Sequence, residues 1–161
     1  MQIYTVSFFG HRQLSDIFSI ERKLKSILSE LINTKEYIEF LVGRDGDFNQ
    51  LVSSTIREIV NAHEYGNTSH ILVLPYERAV YRDNMDSFMV YYDEVEICPQ
   101  SAKAHFKAAI GIRNRAMIDR SDLIICMIEH KSGGAATAVK YVEKQGKRII
   151  NLAEWEVDQD E

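Results

Sequence analysis

Residues 121–152 read SDLIICMIEHKSGGAATAVKYVEKQGKRIINL, and this stretch decides the fold. LIICMI (123–128) is a continuous apolar run of strand length, as a strand buried on both faces requires. The chain then breaks at Ser132, Gly133 and Gly134. ATAVKYVEKQ (136–145) has the composition of a helix, with Gly146 placed as its C-terminal stop. RIINL (148–152) is a second apolar run. Strand, helix and strand in this order form the crossover that joins parallel strands. A parallel sheet covered by helices follows.

The rest of the chain repeats the pattern. IYTVSFF (3–9), YIEFLV (37–42) and HILVLPY (70–76) read as buried strands, and VEIC (95–98) as a short fourth one. Between them, Ile17, Ile20, Leu24, Ile27, Leu28 and Leu31 recur at helical spacing behind Asp16, a candidate N-cap. Leu51, Ile56, Ile59 and Val60 mark a second helix, and AHFKAAIGIRNRAMIDRS (104–121) a third. Residues 77–93, rich in tyrosine and charge, read as a short helix followed by a mobile loop. The expectation is a single Rossmann-like, three-layer α/β domain with a mostly parallel sheet over residues 1–155, and a frayed acidic tail at 156–161.

Composition narrows the function classes. A chain of 161 residues with 45% hydrophobic and 27% charged residues is an ordinary globular domain with room for a core. No apolar run approaches the roughly 20 residues of a membrane span. MQIYTVSFFGHR has neither a basic lead nor a small-residue cleavage site, so a cytoplasmic location without a membrane partner is expected. Cys98 and Cys126 give no disulfide framework, and the five histidines are scattered; no metal is indicated. A net charge of −5 argues against nucleic acid as a partner.

In sheets of this kind ligands bind beyond the carboxyl ends of the strands. Four loops lie there: GHR (10–12), GRDGDF (43–48), PYERAVYRDN (75–84) and EHKSGG (129–134). The first lacks the G-x-G-x-x-G dinucleotide fingerprint, and no P-loop occurs, so a nucleotide site must be of another type. Gly10 leads into His11 and Arg12, which could donate to a phosphate or ribose oxygen. Gly43 and Gly46 permit a sharp turn, while Asp45 and Asp47 could hold a ribose hydroxyl; Asp47 could equally cap the next helix. Arg113, Asn114 and Arg115 could grip an anion together. Ser132, Gly133, Gly134 and Thr137 stand where a helix N-terminus presents free N–H groups to a phosphate. A bare strand-to-helix turn is the alternative. Tyr76, Tyr81, Tyr91 and Tyr92 are candidates to close over a base.

Taken in order, these motifs resemble the SLOG superfamily, which includes the Smf/DprA and LOG branches. RNRAMIDRSD (113–122) is similar to the R-N-R-I-I-x-x-L-S segment of the DprA branch. SGGAATAVKYVEKQGKRI (132–149) is similar to its S-G-S-L-x-T-A…EQG segment. The GHR opening resembles a group of bacterial SLOG proteins that includes YpsA. The resemblance implies a Rossmann-like fold, self-association, and binding of nucleotides, nucleotide derivatives or, in the DprA branch, single-stranded DNA. The LOG branch cleaves nucleoside monophosphates through P-G-G-x-G-T-x-x-E. Here Lys140 stands at the position of that glutamate, and an ammonium does not stabilise an oxocarbenium-like state. Arg113 could be the LOG arginine, and Asp45, Asp47 or Glu129 could supply a carboxylate.

The reading favoured by the sequence is therefore a nucleotide-type ligand, ADP-ribose or NAD among the candidates, held by a sensing or regulatory module. No catalytic residue is assigned and no resident cofactor is named. A LOG-like N-glycosidic hydrolase is the alternative. A DprA-type single-stranded DNA binder ranks lower on net charge, and a fold retained for protein partners is the remaining possibility.

Overall fold

The computed structural model describes residues 1–63 and 66–156. In chain order the elements are β1 (Ile3–Gly10), α1 (Ile17–Thr34), β2 (Tyr37–Val42), α2 (Asp47–His63), β3 (Thr68–Leu74), α3 (Ala79–Arg82), α4 (Met85–Tyr91), β4 (Glu94–Ile97), α5 (Pro99–Ala102), α6 (Phe106–Arg120), β5 (Leu123–Met127), α7 (Gly134–Gln145) and β6 (Arg148–Asn151). The strands form one sheet in the order β4-β3-β2-β1-β5-β6. Every pairing in it is parallel. The anticipated Rossmann-like α/β domain is present, and its sheet is wholly parallel.

Side-chain alternation along the strands divides the core in two. Val6, Phe8, Phe40, Val42, Leu72, Leu74, Leu123 and Ile125 face α1 and α2, meeting Leu24, Leu28, Phe48, Val52 and Ile56. Phe9, Leu41, Ile71, Val73, Ile124 and Cys126 face α6 and α7, meeting Met117, Ile118, Ala138 and Val142. Phe8, Phe40 and Phe48 are fully enclosed, and each such ring contributes about 1.5–3 kcal/mol relative to exposure. On the second face the strands approach closely to helices through small groups. The Ser7 and Ser121 hydroxyls meet at 2.6 Å, and Ser121 donates on to the Met117 carbonyl.

Local chemistry sets the helix ends. Asp16 caps α1 by accepting from the Ser19 N–H at 3.2 Å, and Gly146 closes α7. Residues 77–93 differ from expectation. They form two short helices, α3 and α4, because Tyr81, Phe88 and Tyr92 are anchored in the core. The short α5, which starts at Pro99, has no apolar periodicity to announce it. Of the expected acidic tail, residues 157–161 lie outside the described residues. Among the described residues no helix is long and apolar enough to cross a membrane.

The strand order reverses at the centre. From β1 the chain builds outward to β2, β3 and β4, then returns to place β5 on the other side of β1. Gly10 is paired with Met127, so the loops that leave β1 and β5 emerge side by side at a topological switch point. That is where a crevice forms in open α/β sheets.

Candidate functional site

A cleft of about 930 Å³ occupies that crevice. Ten of the fourteen residues expected to bind phosphate or sugar line it: Gly10, His11, Arg12, Gly43, Asp45, Arg113, Asn114, Ser132, Gly133 and Gly134. They come from four separate loops and helices, assembled by strand order rather than by proximity in sequence.

The β5–α7 turn forms one wall. Gly133 has φ +96°, a left-handed value that excludes most other residues, and it precedes the first turn of α7. A Cβ placed on Gly133 or Gly134 would meet nothing within 4 Å, so the space before the helix N-terminus is open to a ligand. Ser132 points its hydroxyl to His130 Nδ1 at 3.1 Å. His130 stacks on His11, with ring centroids 3.7 Å apart and planes 8° from parallel.

His11 is a latch for this wall rather than a free donor. Its Nε2 accepts from the Glu129 N–H at 3.0 Å and from the His130 N–H at 3.4 Å. An accepting Nε2 requires the neutral ring. Burial, then the neighbouring His130, hold the His11 pKa below its ordinary value, with Glu129 opposing them. Replacing His11 by Ala removes the acceptor. Hydrogen exchange at the Glu129 and His130 amides should then accelerate about tenfold, as loss of one hydrogen bond implies, with β5 unchanged. Unaltered exchange at both amides would show that the latch holds nothing.

The opposite wall is cationic. Arg113 donates Nη1 to the Val73 carbonyl at 2.7 Å and Nε to Asn114 Oδ1 at 3.0 Å. Its remaining donors are uncommitted among the described residues. Burial pushes this guanidinium down to about 10, so it remains a cation at neutral pH. Arg78 pairs with Asp45 at 2.9 Å. Arg12 and Arg44 have no carboxylate partner among the described residues. Four arginines thus face one carboxylate, Asp45, across the cleft.

Four expected site residues do not line the cleft. Asp47 is the first residue of α2, and its carboxylate accepts the Leu14 N–H at 3.0 Å. Gly46, at φ +92°, lies so close to Arg12 that a Cβ there would sit 3.0 Å from the Arg12 Cα. Together they fasten the β2–α2 loop to the β1–α1 loop. Thr137 donates its hydroxyl to the Gly133 carbonyl at 3.1 Å, within its own helix. Arg115 is exposed on α6, turned away from Arg113 by its two-residue offset. Lys140 is also exposed and outside the cleft lining.

The proposed tyrosine flap is not built as anticipated. Tyr81 is in the core and only Tyr76 lines the cleft; Tyr91 and Tyr92 border a separate cavity. Conversely, Arg44, Arg78, Asn49 and His130 line the main cleft without having been singled out. For Arg44, Arg78 and His130 the available signal was the one used for Arg12, a polar side chain in a loop that follows a buried strand; Asn49, in the first turn of α2, gave none.

No family model matches the sequence, and no curated protein matches it. Among solved structures, DNA processing protein A from Helicobacter pylori superposes with a TM-score of 0.63 at 14% identity. The match covers 91% of this chain and 63% of that one, a protein described for its single-stranded DNA binding mode. DprA from Streptococcus pneumoniae matches with a TM-score of 0.49 at 12% identity, covering 97% of this chain and 63% of that one. The chain therefore spans less than two thirds of either protein. The expectation that nucleic acid is not a partner is overturned, because a protein of this fold binds single-stranded DNA. Net charge is a sum over the whole surface, whereas binding answers to the local field, here a cleft with four arginines. At this level of identity the likeness establishes architecture: the chain has a DprA-like α/β fold.

Proposed function

We propose that the cleft binds the phosphate and sugar of a nucleotide unit. The observation that carries this reading is that Arg12, Arg44, Arg78 and Arg113 line one cleft together with the open N-terminus of α7, at the switch point of the sheet. The free N–H groups of α7 and an Arg113 fork suit phosphate oxygens, and Asp45 suits a ribose hydroxyl. The order of the SLOG-like motifs supports the same reading. Binding without turnover fits a sensing or regulatory module, since Lys140 stands outside the cleft and Asp45 is tied to Arg78.

Thermal unfolding with AMP, ADP, ATP, ADP-ribose and NAD tests the proposal. A bound ligand at 100 times its dissociation constant adds about 2.7 kcal/mol, which raises Tm by roughly 5–10 °C for a domain of this size. Gly134→Asp places a carboxylate at the helix N-terminus and should abolish the shift. A shift that survives in the variant would locate the phosphate elsewhere.

Single-stranded DNA is the second reading, supported by the open cleft and by what its Helicobacter pylori fold neighbour binds. Fluorescence anisotropy with labelled oligothymidylate separates the two. Flat nucleotide curves beside oligonucleotide binding that weakens steeply with salt would assign the cleft to a strand. Release of free base from AMP would instead favour the hydrolase.

A further inference from the structure

A second cavity of about 330 Å³ opens beside α2 and α4. Phe88, Tyr91 and Tyr92 give it apolar faces, and Ser53 and Ser87 give it polar edges. Arg44 and Asp45 line both this cavity and the main cleft, so the two spaces are neighbours across the loop that follows β2.

Three features mark it as a built pocket. Tyr92 is only 7% exposed and lines the cavity. Burial pushes its pKa up to about 12, which keeps it a neutral donor. Ser53 is fixed by a 2.9 Å hydrogen bond to His70 Nε2. The Arg44 guanidinium lies 4.9 Å over the Phe88 ring, where its flat face can stack on a planar group.

The size and lining select the occupant. This volume is at the lower end for ligand pockets, enough for a heterocycle but not a whole nucleotide. Apolar faces with hydroxyls at the edge match a planar ring that carries hydrogen-bonding groups on its rim. The β5 and β2 strand ends are two strand spacings apart in the sheet, about 10 Å, a distance that a ribose with its phosphate bridges.

We propose that this side cavity is the base subsite for a nucleotide whose phosphate lies at the N-terminus of α7. The inference rests on the nucleotide reading above. It assigns Tyr92 as a hydrogen-bond donor to the base and Arg44 as the residue between base and phosphate.

Isothermal titration of the full chain with AMP, GMP, CMP, UMP and ribose 5-phosphate tests it. At least one nucleotide should bind tenfold or more tighter than ribose 5-phosphate. Ser87→Trp, at an exposed position on α4, should erase that advantage by filling the cavity while leaving ribose 5-phosphate binding intact. Tyr92→Phe, which keeps the ring, should weaken the preferred nucleotide about fivefold, as one lost hydrogen bond implies. Ribose 5-phosphate binding as tightly as every nucleotide, or an advantage that survives Ser87→Trp, would overturn the base subsite alone. Absence of binding by any of the five would overturn the phosphate reading and this inference with it.

Discussion

Gly10→Ala lowers the stability of the domain by about 3 kcal/mol, the upper part of the range for overpacking a filled core. Gly10 is the last residue of β1, and a Cβ there would lie 2.2 Å from Cγ and 2.7 Å from Cβ of Phe48. Phe48 is 1% exposed and sits in the first turn of α2, between the sheet and the helix layer. Neither element can withdraw, because the Asp47 N–H donates to the Arg12 carbonyl at 2.8 Å just beside the contact. Urea unfolding measures the loss. Phe48→Leu on the Gly10→Ala background should recover part of it, giving a coupling of opposite sign to the single substitutions. A Gly10→Ala midpoint equal to wild type would show that the strand end and α2 are not in contact.

The second large effect is a loss of stability on acidification, centred on His70. Its side chain is 3% exposed on β3, its Nε2 is bound to Ser53, and its Nδ1 has no partner. Burial pushes its pKa down from 6.5 to about 4; Asp93 opposes this and Arg57 assists it. Below 6.5 the unfolded chain takes a proton that the native state refuses. The stabilisation is therefore complete above pH 6.5 and is lost as pH falls towards 4. The gap between the two values corresponds to about 3 kcal/mol. Urea midpoints at pH 7.5, 6.0 and 5.0 for wild type and His70→Gln isolate this share from the carboxylates. Parallel pH profiles for the two proteins would remove His70 from the account.

The fold was legible because its signals are local. LIICMI reads as a doubly buried strand, and residues 123–127 form β5 between β1 and β6. Asp16 and Gly146 stop their helices by chemistry confined to a few residues. Residues 77–93 resisted, since α3 and α4 are held by Tyr81, Phe88 and Tyr92 reaching the core rather than by an amphipathic repeat. In the candidate site, residue type was legible and partnership was not. Asp47 has the chemistry of a ribose ligand, but its acceptor role is taken by Leu14, 33 residues away. Thr137 has a hydroxyl at the correct end of α7, already committed to Gly133. Arg44 and Arg78 were not singled out from sequence, and only the three-dimensional arrangement brings them into one cleft lining with Arg113. Net charge misled in the same manner, as a global quantity applied to a local question.

The fastening of the β2–α2 loop to the β1–α1 loop, through Asp47, Leu14, Gly46 and Arg12, divides the cost of recognition unevenly. On that side the ordering entropy is met when the chain folds, so the ligand proposed above would find Arg12 and Asp45 on a frame already set. The facing turn at 129–134 depends on one imidazole acceptor and a ring stack. Under the proposed nucleotide reading, adaptation to ligands of different length would be concentrated in the β5–α7 turn, and sequence changes there should alter selectivity at little cost to the fold.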